Sequence, residues 1–210
     1  MSGKEELARR LAQHVVIADD KRDDTGAQSI APEHSPRALH HASALPARSA
    51  LKDFDLQCQA EQFLYHQAEL LDGKHWQAYI DLFATDGMYW MPIAPEQTDW
   101  TDSPSIFAED KSLMTIRMGR VTHPNAWSQA PMWGTHHMVG NVVIESVSEQ
   151  GMVVRSRFQM MELRRDNVRH FGGSYRHTLE RTAEDFRIKL QRVDMMNSQA
   201  PYDYVLQVWV

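Results

Sequence analysis

From Thr135 to Leu190 the apolar residues recur at every second position, and this alternation limits the possible fold more than any other feature of the chain. Val154, Phe158 and Met160 fall on one side of an extended segment and Arg155, Arg157 and Gln159 on the other, because successive side chains of a strand point to opposite faces. Met138, Val142 and Ile144 alternate with polar neighbours in the stretch before it, from which a turn containing Gly151 separates it. Phe171, Tyr175, His177 and Leu179 form the inward set of a third strand, and Phe186, Ile188 and Leu190 that of a fourth after a Thr-Ala-Glu-Asp turn. Consecutive strands with short turns predict antiparallel hairpins. Gly172-Gly173 lies inside the third strand and reads as a bulge or bend rather than a phosphate cradle.

Ahead of the strands the apolar spacing is helical. Ala60, Leu64, Ala68 and Leu71, flanked by Phe63 and Leu70, predict a helix that Asp72-Gly73 ends. Trp76, Tyr79, Ile80 and Phe83 share one face of a second helix. Thr85-Asp86-Gly87 then turns the chain into a strand, Met-Tyr-Trp-Met-Pro-Ile, that stops at Pro92. Residues 93 to 104 read as loop, and Ile106, Leu113, Ile116 and Arg117 predict a third helix from Ser105 to about Arg120. Pro124 to Trp133 reads as an irregular excursion, with Thr135 opening the first long strand and His136 and His137 on opposite faces. Three helices followed by a run of hairpins predict an α+β architecture: a cone of curved, mainly antiparallel sheet wrapped around the helices. Residues 1 to 50 contain no Trp, Tyr or Phe and are read as an extension, either poorly ordered or a docking segment through Leu7, Leu11 and Val15. Residues 51 to 210 are read as one domain.

Charge and cysteine content narrow the function. The net charge is -6 with no basic block, which argues against nucleic acid, and no apolar run approaches the ~20 residues of a membrane helix. A soluble, cytoplasmic protein acting on a small molecule or a protein partner is expected. With Cys58 as its single cysteine, the sequence offers no internal disulfide, no thiolate zinc cluster and no cysteine pair for a Rieske iron-sulfur centre. Any such centre must sit on another polypeptide. Eleven histidines invite a metal reading. Yet the adjacent pair cannot chelate one ion from a regular strand, His123, His170 and His177 are scattered, and no helix carries an HxxxH spacing. Cys58 has no patterned His partner and no GxSxG turn occurs, which leaves nucleophilic catalysis unsupported.

Acid-base chemistry inside the cone is the main enzymatic alternative. Tyr65, Tyr79, Asp81, His123, His137, Tyr175 and His177 could line such a cavity, with Tyr79, His137, Tyr175 and His177 its principal members. The plainer reading makes Tyr79 and Tyr175 core aromatics and His177 a satisfied sheet histidine. Arginine suggests a different use of the fold. Arg155, Arg157, Arg164 and Arg165 stud the outward or end positions of the sheet, while Trp127, Trp133 and Trp209 fall in irregular or terminal chain. Arg and Trp are favoured at protein contacts, so these seven residues are the candidate subunit interface.

Several stretches together resemble a known family. They are FLYHQAELLDGKHWQAYIDLFATDGMYWMP, the EDK and IRMGRV segments, AWSQAPMWGTHHMVGNV, and the strand RSRFQMMELRR. From Phe54 to Val210 the chain resembles the small (β) subunit of bacterial aromatic-ring-hydroxylating dioxygenases, the Rieske non-haem iron oxygenases. The resemblance implies a cone fold like that of nuclear transport factor 2 and scytalone dehydratase. It implies a hetero-hexamer of three α and three β chains, with β-β contacts, in which the α subunit carries both the Rieske [2Fe-2S] cluster and the mononuclear Fe(II). The β chain then holds no cofactor and no catalytic residue. The whole complex would add both atoms of dioxygen to an aromatic ring, for instance that of an aromatic carboxylate, with electrons delivered from NADH through a reductase or ferredoxin. The competing reading, a stand-alone dehydratase or isomerase, stays open on the residues alone.

Overall fold

The structure, a computed structural model, describes residues 54–101, 103–127, 133–202 and 205–210. The chain divides into Met1–Ser43 and Ala44–Val210, and all described residues belong to the second unit. The expectation of an N-terminal docking or disordered extension lies outside them.

Helix α1 spans Phe54–Asp72 and buries Leu56, Ala60, Phe63, Leu64, Gln67, Leu70 and Leu71, one stripe at helical spacing. It closes where the His75 N–H reaches the Leu70 carbonyl (2.8 Å) and the Lys74 N–H reaches the Leu71 carbonyl (3.1 Å). Lys74 takes the left-handed conformation this closure needs, at φ 58°. Helix α2, Trp76–Asp81, buries Trp76, Tyr79 and Ile80. Phe83, expected on that helix face, instead opens strand β1, Phe83–Pro92.

The third predicted helix divides in two. Ser105–Asp110 is strand β2, and the helix proper, α3, runs Lys111–Thr122. Two physical causes separate them. The edge of β1 offers unpaired backbone groups that β2 satisfies antiparallel, Tyr89 facing Glu109 and Met91 facing Phe107. Asp110, extended at ψ 175°, then caps α3 by accepting the Leu113 N–H at 2.8 Å.

Strands β3 (Gly134–Ser148), β4 (Gly151–Arg164), β5 (Asn167–Arg181) and β6 (Phe186–Met195) follow as three antiparallel hairpins. The sheet order is β2-β1-β6-β5-β4-β3, with β1 and β6 the one parallel pair among the described residues. The inward sets of β4 and β5 are those expected: Val154, Phe158 and Met160, then Phe171, Tyr175, His177 and Leu179, are all buried. Two positions differ. In β3 the register slips between Gly140 and Val143, and Asn141 takes φ 52°. The extra residue switches the face, so that His137 is buried, Val139, Val142 and Ile144 pack against the core, and Met138 points outward. In β6 Ile188 pairs with Leu179 but Leu190 with Thr178, so Lys189 is the additional residue. Beyond it the buried set becomes Gln191, Val193 and Met195 instead of Leu190.

Two glycines permit the tight curvature. Gly151 has φ 155°, and a Cβ there would lie 1.9 Å from the Leu179 carbonyl oxygen. A Cβ on Gly173 would meet the Asp194 carbonyl oxygen at 2.1 Å and the Phe158 ring at 2.9 Å, so this bend requires glycine to bring β5 against β6. On the concave face α1 and α2 complete the core, joined by Leu206, Val208, Trp209 and Val210, which are buried without belonging to any strand.

Candidate functional site

The concave side of the sheet carries a buried polar layer. Tyr79, on α2, donates its hydroxyl to Gln191 Oε1 on β6 at 2.9 Å. Gln191 Nε2 lies 3.5 Å from the Val210 carbonyl oxygen, and the Val210 N–H donates to the Tyr89 hydroxyl oxygen of β1 at 3.3 Å. Arg117, on α3, fixes the same segment from the other side. Its Nη1 donates to Glu109 Oε2 (2.9 Å) and its Nη2 to the Val208 carbonyl (2.8 Å). Its guanidinium carbon sits 3.9 Å from the Phe107 ring centre and 4.9 Å from that of Trp209. Trp209 Nε1 donates to Glu109 Oε2 (3.2 Å), and its ring lies 5.6 Å from that of Tyr79. An irregular buried segment has no strand partner for its backbone, so these side chains supply one.

On β5, Tyr175 stacks on Phe158 at 4.3 Å, and His177 meets the Tyr175 ring edge-on at 5.5 Å. Both His177 ring nitrogens are buried without a hydrogen-bond partner among the described residues. Burial pushes its pKa down to about 3, and burial likewise raises the Tyr79, Tyr89 and Tyr175 hydroxyls above the ordinary tyrosine value. An efficient general acid or base has a pKa near the working pH, and these four groups are all moved away from neutrality.

His137 is engaged elsewhere. Its Nδ1 lies 2.6 Å from Asp72 Oδ1 and its N–H donates to Asp72 Oδ2 at 2.8 Å, joining the end of α1 to β3. Burial raises the Asp72 pKa, but the hydrogen bonds and charge of His137 outweigh it and hold the carboxyl below its ordinary value. His136, one residue earlier, points to the opposite face with its side chain 63% exposed, as the strand reading requires. Five clefts on the surface of the described residues are lined by residues other than Tyr79, His137, Tyr175 and His177. Among the described residues no three His, Cys, Asp or Glu side chains converge as a metal-holding group. No described helix is long and apolar enough to cross a membrane.

The seven candidate interface residues separate into two groups. Trp133 (3% exposed) packs on Trp76 with ring centres 5.8 Å apart, and Trp209 (4% exposed) belongs to the polar layer just described. Burial in the chain's own core withdraws both from the surface: indoles in irregular chain found partners on α2 and α3. Trp127 is 84% exposed. Arg155 pairs with Glu145 at 3.3 Å, Arg157 is exposed, Arg164 is half-buried, and Arg165 forms the β4-β5 turn at φ 56°. Sequence reasoning missed Asp72 as the partner of His137. It also missed the exposed Met161, Leu163 and Val168, whose signal was an apolar residue on the supposedly polar side of each strand.

A curved mixed sheet closed over helices, with its interior filled by aromatic and polar side chains, defines a cone-fold protein with a packed core. Residues 66–201 match the family model described as "Ring hydroxylating beta subunit", and the chain belongs to that family. It is 28% identical over 150 residues to the anthranilate 1,2-dioxygenase small subunit of Acinetobacter baylyi, covering 69% of this chain and 92% of that one. Among solved structures it is similar to the β subunit of the benzoate 1,2-dioxygenase of Burkholderia mallei, at TM-score 0.57 and 24% identity over 70% of this chain and 94% of that one. A structure named for scytalone dehydratase, from Novosphingobium aromaticivorans, shares the fold at TM-score 0.52 and 17% identity, covering 69% of this chain and 86% of that one. The likeness favours the small-subunit reading over a stand-alone dehydratase or isomerase.

Proposed function

We propose that this chain is the structural, non-catalytic β component of a multicomponent dioxygenase that dihydroxylates an aromatic ring. The family match over residues 66–201 carries the reading. The filled interior supports it, since Tyr79, Tyr175 and His177 serve packing and are poised for no proton transfer near neutral pH. In this reading a catalytic α subunit holds the Rieske cluster and the mononuclear iron, three α and three β chains assemble, and NADH-derived electrons arrive through a reductase or ferredoxin. Both oxygen atoms of O2 enter the ring, and NADH supplies the two electrons. Relatives named for anthranilate and benzoate point to an aromatic carboxylate as substrate. A cytoplasmic location goes with a reaction fed by NADH.

The test compares the full chain alone with the chain co-purified with its large subunit, supplied with benzoate or anthranilate, NADH, O2 and reductase. Turnover is expected only from the combination. Conversion by this chain alone, abolished by His177→Phe, would establish the dehydratase-like alternative instead.

A further inference from the structure

The outer face of the sheet carries a group of exposed apolar side chains. Across β3, β4 and β5 the paired residues His136, Met161 and His170 stand side by side. The pair Leu163 and Val168 flanks them on one side, and Met138, Gln159 and Gly172 on the other. The apolar members are exposed, from 41% at Met161 to 87% at Met196, whose N–H donates to the Gly172 carbonyl. Met138, Met161 and Met196 with the two histidines line a cleft of about 460 Å³. A contiguous exposed apolar area of this kind on a folded chain marks a contact surface.

Two rows beyond Gly172 on the same face, Arg155, Arg176 and Arg192 lie directly opposite one another on β4, β5 and β6. Like charges so placed repel unless something neutralises them. Arg192 is satisfied internally, held by both oxygens of Asp194 and laid over Trp90 at 4.6 Å. Arg155 and Arg176 share one carboxylate, that of Glu145, and each reaches it through Nε, at 3.3 and 2.7 Å. The Nε contacts hold both guanidinium groups in place while leaving them partly open to solvent, 24% at Arg155 and 53% at Arg176, and exposed Arg157 adds a third one row nearer the methionines.

We propose that this face, apolar around Met161 and cationic around Arg155 and Arg176, docks the catalytic large subunit, whose matching surface offers carboxylates to the two forks beside apolar side chains. The inference rests on the small-subunit reading and adds to it the surface and its chemistry. Charge disfavours a two-fold contact of this face with itself, which would bring arginines near arginines, whereas a partner surface bearing carboxylates gains bidentate, charge-assisted hydrogen bonds. Arg and Met are also the residues that protein interfaces enrich.

The experiment uses the full chain co-expressed with its large subunit. Assembly is measured by native mass spectrometry and sedimentation. Hydroxyl-radical labelling of Met138 and Met161 is compared between the free chain and the complex. Two variants, the double Arg155→Gln/Arg176→Gln and Met161→Asp, are set beside a control, Glu184→Gln, in the β5-β6 turn. The expected result is protection of both methionines in the complex and assembly weakened about tenfold or more by each variant but not by the control. Equal labelling in free chain and complex would overturn the docking face while leaving the subunit reading intact, and it needs no variant to fold. Protection already present in the chain alone, unchanged by the partner, would overturn it in favour of self-association. Failure of the wild-type chain to assemble with the large subunit would remove the subunit reading, and the inference with it.

Discussion

Asp72 and His137 hold each other at two points: one carboxylate oxygen takes the imidazole Nδ1 at 2.6 Å and the other accepts the backbone N–H of the same histidine at 2.8 Å. The contact fastens the last residue of α1 to the second turn of alternation in β3, and so fixes the angle at which helix meets sheet. Replacing Asp72 by Ala leaves the buried imidazole and amide without an acceptor and is expected to cost about 2 kcal/mol, less than a fully buried pair because the carboxylate is partly solvated. Urea denaturation measures it. The folded-state pKa of Asp72 lies below its ordinary 3.8, so this stabilisation is complete above that value and is lost as pH falls through the folded value.

His177 governs a different pH window. In the unfolded chain it takes up a proton below about 6.5, in the folded chain only below about 3. Between those values the unfolded state holds the additional proton, so stability falls as pH is lowered, by about 1.4 kcal/mol per unit. His177→Phe is expected to flatten that slope, a difference that chemical denaturation at pH 7, 6 and 5 reveals. Equal slopes in the two proteins would show that the imidazole is protonated, or solvated, within the fold.

Arg117 anchors the Leu206–Val210 segment through one carbonyl and one indole. Its replacement by Leu is expected to cost about 2 to 4 kcal/mol, since Glu109 loses its cationic partner, keeping only the Trp209 indole, and the Val208 carbonyl loses its donor. Lys restores the charge but neither the fork nor the stacking, so Arg117→Lys is expected to lie near Leu rather than near the wild type. Increased cleavage within the segment in limited proteolysis reports the release directly.

The tryptophans of the irregular stretch are expected to behave oppositely. Trp133→Ala vacates a site against Trp76 and is expected to cost about 3 to 5 kcal/mol, whereas Trp127→Ala leaves stability within about 0.5 kcal/mol. Thermal melts of the two single variants settle the contrast.

How far the sequence was legible follows from which forces are local. The inward sets of β4 and β5 could be read because those strands run without interruption, each residue pairing in register from Gly151–Glu180 to Arg164–Asn167. Met138 and Leu190 could not, because one additional residue near Asn141 and one at Lys189 switch which face of the strand meets the core, and nothing in the neighbouring composition announces a bulge. Strand β2 was hidden for another reason. Its residues carry weak preferences, and the edge of β1 decided their conformation, although Asp110 three residues before Leu113 was a readable helix start. The family could be recognised from motifs that mix core residues such as Trp76, Tyr79, Tyr89, Trp90, Trp133 and Phe158 with exposed ones. His136 and His137 were correctly separated by strand geometry, but the partner of His137 lies 65 residues away, a distance no periodicity spans.

The parallel seam between β1 and β6 also dictates an order of assembly. β1 joins the remainder of the sheet only through β6, where Trp90 meets Arg192. The hairpins from β3 to β6 close over short loops, while the β1-β2 ribbon must wait for a strand encoded about a hundred positions later. Newly made chain therefore carries one edge of β1 unpaired until β6 arrives, and an unpaired strand edge is open to misassociation.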